Sequence, residues 1–263
     1  WKVMDRIEQE AKVPLFMTYR AVGSSTGQKE FVGQESNGWQ SYNHFGSGDI
    51  PMTADRYNSL TAAGGNMVHV PFALGAIGFF HSVPADVLPT GGLQLTACLL
   101  SKIFQRRITT WDHADILADN PGLSVPAGTN IRVVHRNLGS SSTAGATEYM
   151  KTANEGESDS MCVWDQTTGS TSNWAADTYG AAGSDGVSNE IDGNAYSIGY
   201  IDAGHGHNLG LGEVSLRNLD GNYLTTKEAD IDAAATVALA NNDLPTDSAA
   251  SWAEVNLYNK PGA

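Results

Sequence analysis

Three short stretches rich in Gly, Ser and Thr each follow a strand-like run and precede a helical pattern. They are Gly23-Ser24-Ser25-Thr26-Gly27, Phe45-Gly46-Ser47-Gly48-Asp49 and Arg136-Asn137-Leu138-Gly139-Ser140-Ser141-Ser142-Thr143. At a helix N-terminus the first backbone N–H groups lack intrahelical partners and the macrodipole is positive, so small residues let an anion approach. Each stretch is therefore a candidate half-site for an oxyanion, although Ser and Thr are also ordinary N-cap residues.

Two charged residues make this interpretation more specific. Arg136 opens the third stretch, and a guanidinium supplies planar, permanently charged donors that suit phosphate. Asp49 ends the second stretch, and an ionised carboxylate only accepts hydrogen bonds. It could accept the P–OH proton of hydrogen phosphate but would find no donor on sulfate, so it would discriminate between the two anions. The alternative, that Asp49 is an ordinary loop or capping carboxylate, stays open.

The elements that would position these loops alternate along the chain. Strand-like apolar runs cover 13–20, 67–72, 77–81 and 131–136, and helical patterns begin near 28, 95 and 144. This alternation predicts an α/β protein with helices packed on a sheet. Breaks at Pro71, Gly75 and Gly78 predict a crossing between two lobes, although one bent strand would look similar. Residues 154–173, rich in Ser, Thr, Gly and acidic side chains, predict an irregular surface segment.

The composition excludes several classes of protein. The 263 residues include 15 Lys and Arg against 29 Asp and Glu, a formal charge of −14 that argues against a nucleic-acid partner and, at first sight, against an anionic ligand. Six Trp and an apolar fraction of 41% argue against disorder. No apolar run approaches the roughly 18 residues that span a bilayer, so the sequence predicts a soluble globular protein with no transmembrane segment.

The N-terminus and the cysteines add two expectations. Trp1 begins a helical pattern with no cap residue before it and no signal peptide is visible, so the sequence looks like part of a longer chain. Cys98 lies in an apolar helical pattern and Cys162 in the irregular segment, without the spacing of a cysteine zinc site. A buried free thiol at Cys98 is expected in preference to a disulfide.

Two polar clusters have a functional and an ordinary interpretation. His205 and His207 could share a metal ion, but no third ligand is evident beyond nearby Asp202, and a solvated loop is expected. In the second cluster, cations near a helix end complement its dipole, which favours a solvated helix terminus over a contact with a partner. Its members are Lys102, Arg106 and Arg107. The sequence therefore predicts no metal site and no cofactor.

Further motifs follow the three loops along nearly the whole chain. They are Leu99 through Ile108-Thr-Thr-Trp111-Asp112, Asn120-Pro121-Gly122-Leu123, Ile131-Arg-Val-Val-His135-Arg136, Gly183-Ser-Asp-Gly-Val187 and Ile198-Gly-Tyr-Ile201. In kind and order these motifs resemble the PstS-like phosphate-binding proteins, the extracytoplasmic receptors of ABC phosphate importers. The resemblance implies a two-lobe α/β fold of the type II periplasmic-binding-protein class. It also implies an extracytoplasmic location and phosphate binding for uptake through a membrane ABC transporter, without catalysis.

Carried over residue by residue, the resemblance implies a phosphate-binding shell. Its members are Ser24, Asp49, Arg136, Ser140, Ser141 and Ser142. In that scheme Asp49 accepts the phosphate proton and Arg136 balances charge. Ser24 and Ser140 donate hydroxyls, while Ser141 and Ser142 offer backbone N–H groups. Residues 1–72 would form part of the first lobe and residues 73–263 the second, with the hinge crossing near 71–78.

The sequence departs from the family pattern in three places. The family carries an Asp in the loop after its Arg, which orients the guanidinium, whereas Asn137 and Leu138 occupy that region here. Ser142 stands where the family commonly has Thr. The elements that complete the first lobe should precede Trp1 and follow Ala263. Either the sequence is a segment of a longer chain, or neighbouring chains in an assembly supply the missing strands.

Two other classes of function compete with a phosphate receptor. A structural or interaction subunit of an extracellular assembly, with weakened or lost ligand binding, is favoured by Leu138 and by the incomplete ends. A hydrolase would need a nucleophile in the third stretch, but Gly139-Ser140-Ser141-Ser142-Thr143 lacks the closing glycine of G-x-S-x-G. His135 precedes Arg136 on a strand and should face away from it. Phosphate binding is the function that the sequence favours.

Overall fold

The computed structural model describes residues 2–33 and 41–263. In this part of the chain the helices are α1 (Lys2–Glu10), α2 (Ser24–Val32), α3 (Ala54–Ala62), α4 (Ala97–Phe104), α5 (Ala114–Asp119), α6 (Ser141–Ala153), α7 (Gly183–Asp192), α8 (Ala203–Leu209) and α9 (Ile231–Ala240). The strands are β1 (Ile77–His81), β2 (Gln94–Leu95), β3 (Arg132–Arg136), β4 (Tyr179–Ala181), β5 (Ser197–Asp202), β6 (Gly212–Glu213), β7 (Ser215–Arg217) and β8 (Tyr223–Leu224).

The central sheet has the strand order β4-β3-β5-β1-β6. Strand β3 is parallel to both β4 and β5, whereas β1 pairs antiparallel with β5 and with β6. Parallel neighbours require crossover connections, which α6 and α7 contribute to here. Strands β2, β7 and β8 form a second, smaller sheet. This mixed sheet with its helices confirms the predicted α/β class.

Both faces of the central sheet are covered because successive side chains on a strand point to opposite faces. Val133 of β3 joins a large core with α4 and α6, while the adjacent Val134 joins a smaller core with α7. Phe79 and Phe80 of β1 divide between the two cores in the same way. The central strands β3, β5 and β1 are therefore buried between helices on both faces of the sheet.

The strands predicted at 13–20 and 67–72 are wrong. Neither segment forms a ladder with another described segment. The His69 N–H donates to the Ser248 carbonyl at 2.8 Å, and Val68, Val70 and Phe72 lie exposed on alternate positions. The alternating pattern is that of a strand, but a strand exists only where a neighbour pairs with its backbone groups.

The irregular segment predicted at 154–173 is present and extends to residue 178; we call residues 154–178 the covering segment. It has no helix or strand, yet Cys162 and Trp164 are buried, because the segment folds back over α4. The free thiol expected at Cys98 is wrong, since Cys98 forms a disulfide with Cys162.

The solvated helix terminus predicted at the end of α4 is also wrong. The three basic residues there have little exposure, because the covering segment supplies acidic partners. Lys102 bridges Asp115 and Asp159, both at 2.9 Å. Arg106 pairs with Asp177 at 2.9 Å, and Arg107 pairs with Asp165 at 2.5 Å.

The solvated loop predicted at His205 and His207 is instead helix α8, capped by Asp202, whose carboxylate accepts the Gly204 N–H. Residues two apart on a helix do not share a face. His205 lies near Asp202 and Asp185, whereas His207 contacts Thr226. The two imidazoles therefore have separate surroundings.

Within 2–33 and 41–263, no helix is long and apolar enough to cross a membrane.

Candidate functional site

The loop between β3 and α6 forms the centre of the predicted site. Arg136 ends β3, at the carboxyl edge that β3 shares with its parallel neighbours, where α/β sheets commonly bind ligands. Ser140 is the N-cap of α6, and its hydroxyl oxygen accepts the Ser142 N–H at 3.1 Å. The same oxygen accepts a bond from Arg136 Nη1 at 2.9 Å. Because both bonds use its lone pairs, the Ser140 O–H remains available as a donor.

The Arg136 guanidinium is only partly fixed by the protein. Its Nε is buried and has no hydrogen-bond partner among the described residues. Burial lowers the pKa of Arg136, and the neighbouring Tyr200 and Asp49 oppose that shift. Leu138, in the loop where the family carries its orienting Asp, is 67% exposed. The Leu138 side chain has no hydrogen-bonding group and so cannot supply an acceptor for this Nε.

The second loop reaches the same helix N-terminus through Asp49. The Ser141 hydroxyl donates to Asp49 Oδ2 at 2.7 Å. Asp49 lies close enough to Arg136 to oppose the lowering of the guanidinium pKa, yet among the described residues the two side chains form no ion pair. A carboxylate and a guanidinium that lie near each other without pairing suit a ligand that carries both an acceptor and a proton.

The first loop packs directly against the third. Gly23 is the N-cap of α2, and a Cβ placed on it would lie 2.5 Å from the Gly139 carbonyl oxygen and 3.9 Å from Arg136 Nη2. A Cβ on Gly139 would meet Ser25 Cβ at 2.6 Å. Glycine is therefore required at both positions for the loops to touch. Ser24, the first residue of α2, is thereby brought beside the Arg136 loop.

The structure thus joins some of the predicted site residues by direct hydrogen bonds and brings others only into the neighbourhood. Arg136 bonds to Ser140, and Asp49 bonds to Ser141, while Ser24 is adjacent through its neighbours Gly23 and Ser25. The Ser142 N–H, predicted as a phosphate donor, already bonds to Ser140. That donor reaches an anion only if the capping bond is shared or broken.

Arg56 is a second cation that sequence reasoning missed. It lies on α3, where its Nη2 donates to Ser25 Oγ at 3.0 Å and its Nη1 to Gln28 Oε1 at 2.8 Å. Burial lowers its pKa, an effect that Asp55 opposes. Arg56 therefore ties the first loop to the helix that follows the second loop. In the sequence, Arg56 is marked only by its position seven residues after Asp49.

Tyr200, which belongs to the motif Ile198-Gly-Tyr-Ile201, holds the backbone of Arg136. Its hydroxyl accepts the Arg136 backbone N–H at 3.2 Å and shares a hydrogen bond with Thr143 at 2.8 Å. Burial raises the pKa of Tyr200 to about 12, so the phenol stays protonated at neutral pH.

His135 faces away from Arg136, as the strand alternation predicts. Its ring stacks on Trp174 with centroids 4.9 Å apart, and its Nδ1 lies 2.9 Å from the Arg136 carbonyl oxygen. Burial lowers the pKa of His135. The Ser140 hydroxyl, by contrast, faces the Arg136 guanidinium, which cannot act as a base. The arrangement suits binding of an oxyanion better than activation of a nucleophile.

An apolar cavity of about 260 Å³ lies elsewhere, between β1, α6 and the C-terminal residues. Ile77, Phe79, Tyr149, Leu216 and Tyr258 are among its lining residues. No predicted site residue lines it, and its lining is mainly apolar.

Comparison with known proteins finds a matching family model and several similar proteins. The family model described as PBP superfamily domain matches residues 1–262. The chain is 29% identical over 228 residues to a protein from Haemophilus influenzae named phosphate-binding protein PstS, covering 84% of this chain and 60% of that protein. It is 25% identical over 235 residues to a protein of the same name from Methanocaldococcus jannaschii, covering 87% and 57%. The chain thus spans less than two thirds of the length of these curated relatives.

Solved structures share the fold. A phosphate-binding protein from Stenotrophomonas maltophilia superposes with a TM-score of 0.63 at 16% identity, covering 95% of this chain and 69% of that chain. A high-affinity periplasmic phosphate-binding protein, PfluDING, solved with phosphate bound, superposes with a TM-score of 0.59 at 20% identity, covering 91% and 65%.

Proposed function

Since the chain belongs to the PBP superfamily, we propose that it binds hydrogen phosphate between two lobes and serves as a PstS-like receptor for phosphate uptake. The relatives named above support the choice of ligand, because they carry the name phosphate-binding protein PstS. We infer binding without catalysis.

One observation carries the proposal: Arg136, Ser140, Ser141 and Asp49 meet at the N-terminus of α6. These residues come from loops about 90 positions apart in sequence, and the Ser141–Asp49 bond itself joins positions 92 residues apart. A helix N-terminus, a half-buried guanidinium and serine hydroxyls all favour a compact anion.

Each residue has a role in this proposal. The anion binds beside Arg136, which supplies charge-assisted hydrogen bonds, while the hydroxyls of Ser24 and Ser140 and the first N–H groups of α6 donate further bonds. Ser141 holds Asp49 through Oδ2, so that Oδ1 accepts the P–OH proton. Arg56 positions Ser25 and thereby the first loop.

We place the boundary between the lobes near residues 71–78, with 1–72 in the first lobe and 73–263 in the second. Ligand would favour the closed arrangement because residues of both lobes contact it only when the lobes approach. Uptake implies an extracytoplasmic location and a membrane ABC transporter as partner. The solved periplasmic neighbour supports that location for a protein of this fold.

Isothermal titration with phosphate tests the proposal. Replacing Arg136 with Ala should weaken phosphate binding by about 2–5 kcal/mol, because a half-buried charge pair is lost. Leu138→Ala is the matched control, since this neighbouring side chain is 67% exposed. Unchanged affinity in Arg136→Ala would place the binding site elsewhere.

A binding-deficient structural subunit is the second candidate. Two features favour this candidate: the buried Arg136 Nε has no hydrogen-bond partner among the described residues, and apolar residues of 67–72 are exposed. In a receptor we would expect the Nε to be hydrogen-bonded and the apolar residues to be covered. The same titration separates the candidates: the absence of heat at millimolar phosphate, with a folded protein, would support the structural role.

A further inference from the structure

The first half of the covering segment is anchored at two places, the start of α4 and the residues just beyond its end. Cys162 forms the disulfide with Cys98 of α4. Arg107 Nη1 donates to the carbonyls of Met161 at 2.7 Å and Val163 at 2.9 Å. The disulfide is the only covalent tie among these contacts, and the others are hydrogen bonds and ion pairs.

The second half of the covering segment contacts the loop of the anion site. The Ser140 N–H donates to the Ser170 carbonyl at 2.8 Å. The Gly169 N–H donates to Thr147 Oγ1 of α6 at 3.2 Å. Because Ser140 is the N-cap that accepts from Arg136, its backbone position decides where that hydroxyl lies.

A second route from the covering segment leads to Arg136. The Trp174 ring stacks on Tyr200 with centroids 5.9 Å apart and planes inclined by 29°. The Tyr200 hydroxyl accepts the Arg136 N–H. Trp174 also packs against Trp164, which lies two residues beyond Cys162. Aromatic contacts therefore run from Trp164, two residues beyond Cys162, through Trp174 to Tyr200, which bonds to the backbone of Arg136.

We propose that the covering segment positions the anion-site loop, and that its Cys98–Cys162 disulfide makes phosphate affinity depend on redox state. This inference rests on the proposed function. A dithiol reductant would break the S–S bond by two-electron exchange: two cysteine thiols form, and the dithiol becomes a disulfide. The segment then keeps only its noncovalent contacts, so Ser140 loses the Ser170 acceptor for part of the time.

The first test compares the oxidised protein, the protein reduced with dithiothreitol and the variant C98A/C162A by titration with phosphate. We expect affinity to fall about fivefold in both the reduced protein and the variant, the equivalent of one hydrogen bond. Dithiothreitol added to the variant is the control and should change nothing. Reoxidation of the reduced protein should restore the original affinity.

Amide hydrogen exchange distinguishes positioning from general loosening. Peptides covering 137–144 should exchange faster without the disulfide, whereas peptides covering α7, on the opposite face of the sheet, should not change. Equal affinity and equal exchange at 137–144 would overturn the inference while leaving the proposed function intact. If the oxidised protein binds no phosphate, the proposed function fails, and the exchange data alone decide whether the segment positions the loop.

Trp174 supplies a test that leaves the cysteines in place, should C98A/C162A fail to fold. Trp174→Phe keeps an aromatic ring for Tyr200 and should retain affinity, whereas Trp174→Ala should weaken phosphate binding and speed exchange at 137–144. Equal behaviour of the two variants, with wild-type affinity, would contradict the positioning role.

Discussion

At the scale of single residues, the site pairs one acceptor with several donors. Asp49 accepts from Ser141 and stands near Arg136 without pairing with it. A carboxylate in this place repels a fully deprotonated anion but accepts a hydrogen bond from the P–OH group of hydrogen phosphate. Selectivity between phosphate and sulfate would then reside in one side chain, as the sequence alone suggests.

Replacing Asp49 with Asn tests this selectivity. Sulfate should compete with phosphate in the variant, with its affinity raised by about 100-fold, because the amide can donate where the carboxylate could only accept. A competition titration measures the change. Asp86→Asn, which removes an exposed carboxylate outside the site, should leave the discrimination as it is. Sulfate exclusion that persists in Asp49→Asn would contradict the proton-acceptor role.

At the scale of elements, the predictions succeeded where a local pattern decides structure. Strand β3 and helix α6 with its Ser140 cap were readable because apolar alternation, a Gly/Ser loop and helical spacing follow one another locally. The contacts of Arg56 and Trp174 were not readable, because they join segments distant in sequence.

The cysteines show the same limit. The spacing of 64 residues between Cys98 and Cys162 carries no pairing information, and only the return of the covering segment to α4 brings them together. The strand predicted at 67–72 is absent for the converse reason. Its local pattern is strand-like, but a strand depends on a pairing neighbour, which the local sequence does not specify.

Strand β1 carries a buried histidine that should make stability depend on pH. His81 is 2% exposed, and burial lowers its pKa to about 4. The unfolded chain, with a histidine pKa near 6.5, binds a proton first as the pH falls. Stability from neutral His81 is therefore fully present above about pH 6.5 and declines toward pH 4, by about 3 kcal/mol in all.

Urea unfolding at pH 7.5 and pH 5 measures this dependence. His81→Gln should flatten the loss of unfolding free energy between the two pH values, relative to the wild-type protein. His44→Gln, at an exposed histidine, should keep the wild-type slope. The same slope in His81→Gln and wild type would show that His81 does not contribute.

At the scale of the whole molecule, the net charge of −14 by itself disfavours an anionic ligand. Exposed charges are screened over about 8 Å at physiological ionic strength, whereas a half-buried site responds to its nearest dipoles and guanidinium groups. Global charge would slow the encounter without setting the equilibrium. An anion can therefore bind despite the negative net charge, because the fold places Arg136, Arg56 and the N-terminus of α6 around the contact between the first and third loops.

A crystal structure of the protein grown or soaked with phosphate tests the central claim most directly. We predict tetrahedral density beside Arg136 and Ser140, with one oxygen within hydrogen-bond distance of Asp49 and another within reach of Ser24. An empty site at saturating phosphate, or phosphate bound away from these residues, would contradict the account.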